Sequence, residues 1–99
     1  RGYGVSKDIE KAFQFFKLAA EQGHADAQLN LGYHYLNGLG VFKNQTLAHL
    51  WYNLGAQNGN EQSAKLRDQL SSQMRATEIA EALRLFERCI ESKYKDCGY

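Results

Sequence analysis

The sequence predicts an all-α fold, an α-α superhelix or solenoid of antiparallel helical hairpins with about five helices in 99 residues. Three observations predict it. Sliding the chain by 36 positions lays Gly2-Tyr3-Gly4-Val5-Ser6-Lys7-Asp8 on Gly38-Leu39-Gly40-Val41-Phe42-Lys43-Asn44, and carries Ala12, Leu18, Ala20 and Gly23 onto Ala48, Leu54, Ala56 and Gly59. Between 1–24 and 37–60 that makes 8 identities in 24 ungapped positions. A repeat of this period marks a stacked array. Apolar residues recur at three-and-four spacing, and no stretch alternates as a strand would. Finally, the chain has 9 glycines and no proline, and most of the glycines fall between the apolar-periodic stretches, where breakers belong.

Each helix has its own warrant. From about Asp8 to Gln22, residues Ile9, Ala12, Phe13, Phe16, Ala19 and Ala20 form one apolar stripe. Asp8 suits the N-cap, Glu10 the positive end of the helix dipole, and Gly23 the left-handed stop. A second helix spans about Ala25 to Leu36, with Ala27, Leu31 and Tyr35 in register, and Gly38-Leu39-Gly40 turns the chain tightly. The third, about Asn44 to Asn58, repeats the first through Ala48, Trp51, Tyr52 and Ala56, and Gly59 stops it. A fourth, about Glu61 to Ser71, carries Ala64, Leu66 and Leu70; a fifth, about Ala76 to Ser92, carries Ile79, Ala80, Leu83, Phe86 and Ile90.

Small residues set the packing. Ala12, Ala19, Ala20, Ala27 and Gly32 let helix backbones approach, while Phe13, Phe16, Tyr35, Trp51 and Tyr52 fill the space between layers. A chain of this length sits near the lower limit for a self-sufficient core, a limit that stacking partly relieves. The net charge of +1 provides no electrostatic footprint for nucleic acid. No stretch approaches the roughly 20 apolar residues of a membrane span, so no membrane insertion is expected. The chain starts without Met and in mid-motif at Arg1-Gly2-Tyr3-Gly4. That start reads as the C-terminal piece of a longer protein, for which a missing signal peptide says nothing about export.

The run Ala25-Asp26-Ala27-Gln28-Leu29-Asn30-Leu31-Gly32-Tyr33-His34-Tyr35-Leu36-Asn37-Gly38-Leu39-Gly40-Val41 resembles the Sel-one-like repeat, a relative of the tetratricopeptide repeat. Ala48, Trp51-Tyr52, Ala56 and Gly59 complete the unit. On this resemblance, 1–24 is the second half of a truncated repeat, 25–60 a complete repeat, and 61–99 a divergent C-terminal capping hairpin with a tail. The family favours Asp where this chain has Asn44 and Ala where it has Gly55; the first exchange keeps a competent cap, and the second weakens the helix by about 1 kcal/mol. The resemblance implies a superhelix whose first helices line a concave face, an adaptor role in protein complexes, and no shared catalytic residues or cofactors. The first helix lacks a hairpin partner and is expected to expose apolar surface open to upstream repeats or to self-association.

By analogy with helical repeats, the concave, partner-binding positions are Asp26, Leu29, Asn30, Tyr33 and Asn37, continued by Gln62, Lys65 and Gln69 in the next unit. An apolar and aromatic anchor beside amides suits an extended peptide or a partner helix; the alternative is that Leu29 and Tyr33 simply pack on neighbouring repeats. His24 is expected to start a helix and His34 and His49 to face solvent, with no His or Cys pair at zinc spacing. Cys89 and Cys97 on one continuous helix would lie roughly 12 Å apart, too far to bond. If the helix ends near Ser92 and the chain folds back, a bridge forms and contributes about 2–3 kcal/mol. Exported bacterial members of the family often carry cysteines, which implies the periplasm or the outside of the cell; the alternative is two free thiols in a cytoplasmic protein.

Enzymatic readings find no chemistry. Ser63, Ser71 and Ser72 lack a GxSxG context, and Asp26, Glu61, Asp68, Glu78 and Glu81 lie on different helices. Gly38-Leu39-Gly40 lacks the Lys-Ser/Thr of a phosphate loop. The expected function is therefore a protein-interaction scaffold. Its rivals are a cell-envelope enzyme or cell-wall binder, and a purely structural end-cap.

Overall fold

Five helices follow one another with short connections in the computed structural model, which describes residues 3–98. They are α1 (Tyr3–Glu21), α2 (Ala25–Asn37), α3 (Gln45–Gln57), α4 (Glu61–Ser71) and α5 (Ala76–Glu91), with no strand among the described residues. Gly23 (φ 89°) and Gly38 (φ 66°) take the left-handed conformation at the ends of α1 and α2, as the glycine pattern predicts. Asn44 caps α3 by accepting the Leu47 N–H at 2.9 Å, and Asn60 caps α4 by accepting the Ser63 N–H at 2.9 Å. Each such cap is typically worth about 1 kcal/mol.

The start of α1 differs from the expectation. Asp8 lies inside the helix rather than at its N-cap, because α1 already begins at Tyr3; Gly2 lies outside the described residues. In the second unit the matching loop is held open from two sides. The Asn44 N–H donates to the Tyr35 carbonyl at 2.8 Å, and Gly40 lies so close to α1 that a Cβ there would sit 3.0 Å from the Ile9 carbonyl oxygen.

The core centres on α3. It packs on α2, α4 and α5, whereas α1 packs appreciably on α2 alone. Leu50, Trp51, Tyr52 and Leu54 are accordingly fully buried. Two glycines permit the close approaches. A Cβ on Gly32 would come within 2.7 Å of the Tyr52 ring and 3.1 Å of the Ala48 carbonyl oxygen. A Cβ on Gly55 would meet the Ser63 hydroxyl at 2.5 Å. That hydroxyl donates to the Tyr52 carbonyl at 2.7 Å, so Gly55 and Ser63 fit one another as a pair.

The expected face of α5 is corrected. Ala80, Leu83 and Ile90 are exposed and Ile79 and Phe86 half-buried, while Ala82, Leu85 and Cys89 face the core. The tail lies against the stripe that turns inward. Cys89 and Cys97 are joined in a disulfide with Cα atoms 4.4 Å apart, and a Cβ on Gly98 would touch both Leu47 and Leu85 at 3.1 Å. A bonded cysteine behaves as a buried apolar residue, which the three-and-four count leaves out. α4 and α5 each pack on α3.

The tail also reaches back to the first hairpin. Lys93 (φ 58°) and Tyr94 (φ 68°) both adopt left-handed backbone, at a cost of roughly 1–3 kcal/mol each. The Tyr94 N–H donates to the Cys89 carbonyl at 2.8 Å, and the Tyr94 hydroxyl accepts from Asn58 Nδ2 at 3.0 Å. Asn58 Nδ2 also donates to Gln28 Oε1 at 2.9 Å, and the buried Gln28 donates to the Ala20 carbonyl at 3.0 Å. One polar chain thus ties α1, α2, α3 and the tail together.

Two histidines are corrected as well. His24 is the N-cap residue of α2, as expected, but His34 and His49 are buried. His34 Nδ1 lies 2.8 Å from the Leu39 carbonyl, so that nitrogen carries the proton, and its ring packs on Phe13 and Phe16. His49 Nε2 lies 2.8 Å from the Ser71 hydroxyl, which spends its own hydrogen on the Arg67 carbonyl. His49 therefore donates through Nε2, and its buried Nδ1 is left without a hydrogen-bond partner. Burial, with Arg67 nearby, holds the His49 pKa below 6.5 against a smaller opposite pull from Asp68.

Candidate partner-binding surfaces

The outward face of α2 is laid out by its own inward packing. Ala27, Gln28, Leu31, Gly32, His34 and Tyr35 turn inward. Asp26, Tyr33 and Asn37 are exposed, with Asn30 and Leu29 half-buried beside them. The row is partly preset. Asn30 Nδ2 donates to the Asp26 carbonyl at 2.8 Å and Asn37 Nδ2 to the Tyr33 carbonyl at 3.0 Å, which fixes both amides one turn along their own helix. Their side-chain oxygens remain for a partner. Leu29 packs against the edge of the core, whereas half of Tyr33 is open to solvent.

On α4, Gln62, Lys65 and Gln69 are exposed on the side away from the buried Ser63 and Leu70. The two rows are linked at one end, where Asn60 Nδ2 donates to Asp26 Oδ1 at 2.8 Å. Below this face lies Tyr52, whose buried hydroxyl has no hydrogen-bond partner. Burial, and secondarily Tyr33, pushes its pKa up to about 12.

The apolar surface expected on α1 is present, on residues that the sequence reading does not name for it. A groove of about 860 Å³ lies between α1 and the start of α2, lined by Phe15, Phe16 and Leu18 and by the polar Gln22 and His24. Phe15 is 66% and Leu18 64% exposed, although their partners under the 36-residue shift, Trp51 and Leu54, are both 0% exposed. The shift carried the signal: it lays the aromatic pair Phe15-Phe16 on Trp51-Tyr52. A stripe of three-and-four spacing passes over Phe15 and so hides it. Asp26 and Asn30 line the groove too, at its boundary with the outward face of α2. Phe42, 93% exposed in the loop after α2, is a further apolar group the pattern did not mark.

A family comparison accords with the all-helical repeat array. The model for the Sel1 repeat matches residues 1–24 and 25–60. The chain belongs to the Sel1 repeat family. Sel1 repeats form helical solenoids and generally mediate protein–protein interaction, as a non-enzymatic scaffold type. Similar curated proteins are protein sel-1 homolog 2 of mouse, 44% identical over 57 residues, and its namesakes of rat and human, each 42% identical over 57 residues. In each case the match covers 57% of this chain and 8% of the relative. No solved structure matches significantly. These relatives are mammalian, so they lend no support to a bacterial origin.

Among the described residues no helix is long and apolar enough to cross a membrane, and no group of three His, Cys, Asp or Glu is placed to hold a metal ion.

Proposed function

We propose that this Sel1 chain is a protein-interaction scaffold that takes a partner protein or peptide on the outward face of α2, with Tyr33 and Leu29 as anchors and Asp26, Asn30 and Asn37 as polar contacts. The observation that carries this reading is the row itself. A half-exposed tyrosine stands among amides already fixed on their own helix, so binding need not order them and loses less entropy. Gln62, Lys65 and Gln69 extend the row on α4 and favour a partner long enough to cross both helices.

The test is crosslinking capture followed by binding of the identified partner to purified protein. The Leu29→Lys, Tyr33→Ala variant, shown folded by circular dichroism, is expected to lose the partner that the native chain binds. Equal binding by both proteins contradicts the reading.

The same proposal places the chain in an oxidising compartment, on the strength of the Cys89–Cys97 disulfide. Two alkylatable thiols in protein taken unreduced from its host would refute that placement.

A further inference from the structure

The loop between α2 and α3 carries a pattern that the scaffold reading leaves unused. Asn44-Gln45-Thr46 is an Asn-x-Ser/Thr acceptor for N-linked carbohydrate, and no other asparagine of the chain is followed two residues on by Ser or Thr. Three residues alone recur by chance, so their setting decides. Asn44 is exposed, on extended backbone (φ −154°, ψ 102°), directly ahead of α3. Its cap bond from the Leu47 N–H uses Oδ1, whereas an N-glycosidic bond uses Nδ2, so a sugar and the cap coexist. Two residues earlier, Phe42 is 93% exposed, and nothing in the scaffold reading employs that ring.

We propose that Asn44 is an N-glycosylation site and that Phe42 is the platform for its first sugar. Residues 42–44 form neither helix nor turn. In extended backbone, side chains two apart share one side, which sets a sugar on Asn44 over the Phe42 ring. The C–H groups on one face of the pyranose then meet the electron-rich face of the ring. In the transfer, a bond forms between Asn44 Nδ2 and C1 of the sugar as the C1–O bond of a lipid-pyrophosphate-linked oligosaccharide breaks. The lipid pyrophosphate leaves with the electron pair, and the amide gives up one proton to a base of the transferase. Thr46 is half-buried within α3, so transfer precedes the folding of that helix. The site rests on the placement of the chain in an oxidising compartment, and it uses no residue of the outward row.

The experiment isolates the protein unreduced from its host and compares it before and after a glycan-releasing amidase by peptide mass, with free thiols counted in parallel. A carbohydrate mass is expected on the peptide containing Asn44, and its release should convert Asn44 to Asp. Asn44→Asp and Thr46→Val, made in the same host, should carry none. Asp caps a helix about as well as Asn, so the Asn44→Asp protein is a folded reference without sugar. The glycosylated chain should melt a few degrees above that reference, and Phe42→Ala should abolish the difference. An unmodified Asn44 in protein whose Cys89 and Cys97 are bonded overturns the inference alone. An unmodified Asn44 beside two free thiols overturns it together with the compartment. Carbohydrate on Asn44 with a melting gain that survives Phe42→Ala overturns the role of Phe42.

Discussion

α1 and α3 occupy the same place in the repeat and live in opposite environments. Trp51 and Leu54 on α3 are fully enclosed, and Phe15 and Leu18 at the same positions on α1 stand about two-thirds exposed. The sequence pattern of the two helices is alike, so the difference lies in the neighbours: α3 packs on three helices and α1 on one. In a repeat protein, burial belongs to the stack and not to the unit.

The largest effect that would break this comparison is truncation at matched positions. Trp51→Ala should destabilise by about 3–5 kcal/mol, and Phe15→Ala by less than about 1 kcal/mol. Denaturant unfolding measures both, and equal losses would mean that α1 is as well packed as α3.

The next effect concerns the tail, which gives α3 and α5 a covering that α1 lacks. Cys97→Ser opens the short disulfide loop and should cost about 2–3 kcal/mol. Unfolding under oxidising and reducing conditions should differ for the native chain and coincide for the variant.

Overpacking sharpens the picture at the α2–α3 contact. Gly32→Leu should cost about 1–3 kcal/mol or more, because the Tyr52 ring and the Ala48 carbonyl both stand in its way. Gly55→Ala should also destabilise, despite the helix propensity it gains, and Ser63→Ala in the same chain should recover part of the loss. An unchanged melting curve for Gly32→Leu would move α2 away from α3.

The smallest effect is the pH response of His49. Its pKa is lowered in the folded chain, so between that value and 6.5 the unfolded chain binds more protons. Its contribution is present above about pH 6.5 and is lost as the pH falls below it. His49→Gln should flatten stability against pH in that range; an unaltered slope would place the acid sensitivity in another group.

The helices and the repeat were legible because periodicity and glycine stops are local signals. Asp8, Leu83 and Ile90, and the buried His34 and His49, were misread for one shared reason. Each depends on what packs against it, and a single helix pattern contains no such information. Leu83 and Ile90 are exposed while Leu85 and Cys89 face the core, where Cys89 is bonded to Cys97 of the tail. His34 reads as polar, yet a single carbonyl at Leu39 satisfies it inside the core. That α1 would expose apolar surface was legible; that Phe15 and Leu18 carry it was readable by carrying the shift through the aromatic pair. The outward row of α2 was placed by analogy with other helical repeats, and its fixing by Asn30 and Asn37 emerged only with the side chains.

The most direct test of the difference between α1 and α3 uses the single tryptophan as a reporter. Native protein is compared with a Phe15→Trp, Trp51→Phe variant, each shown folded by circular dichroism, by emission maximum and acrylamide quenching. The account predicts a blue-shifted, weakly quenched tryptophan at position 51 and a red-shifted, strongly quenched one at position 15. Equal shielding at the two positions would contradict it, because α1 would then be as covered as α3.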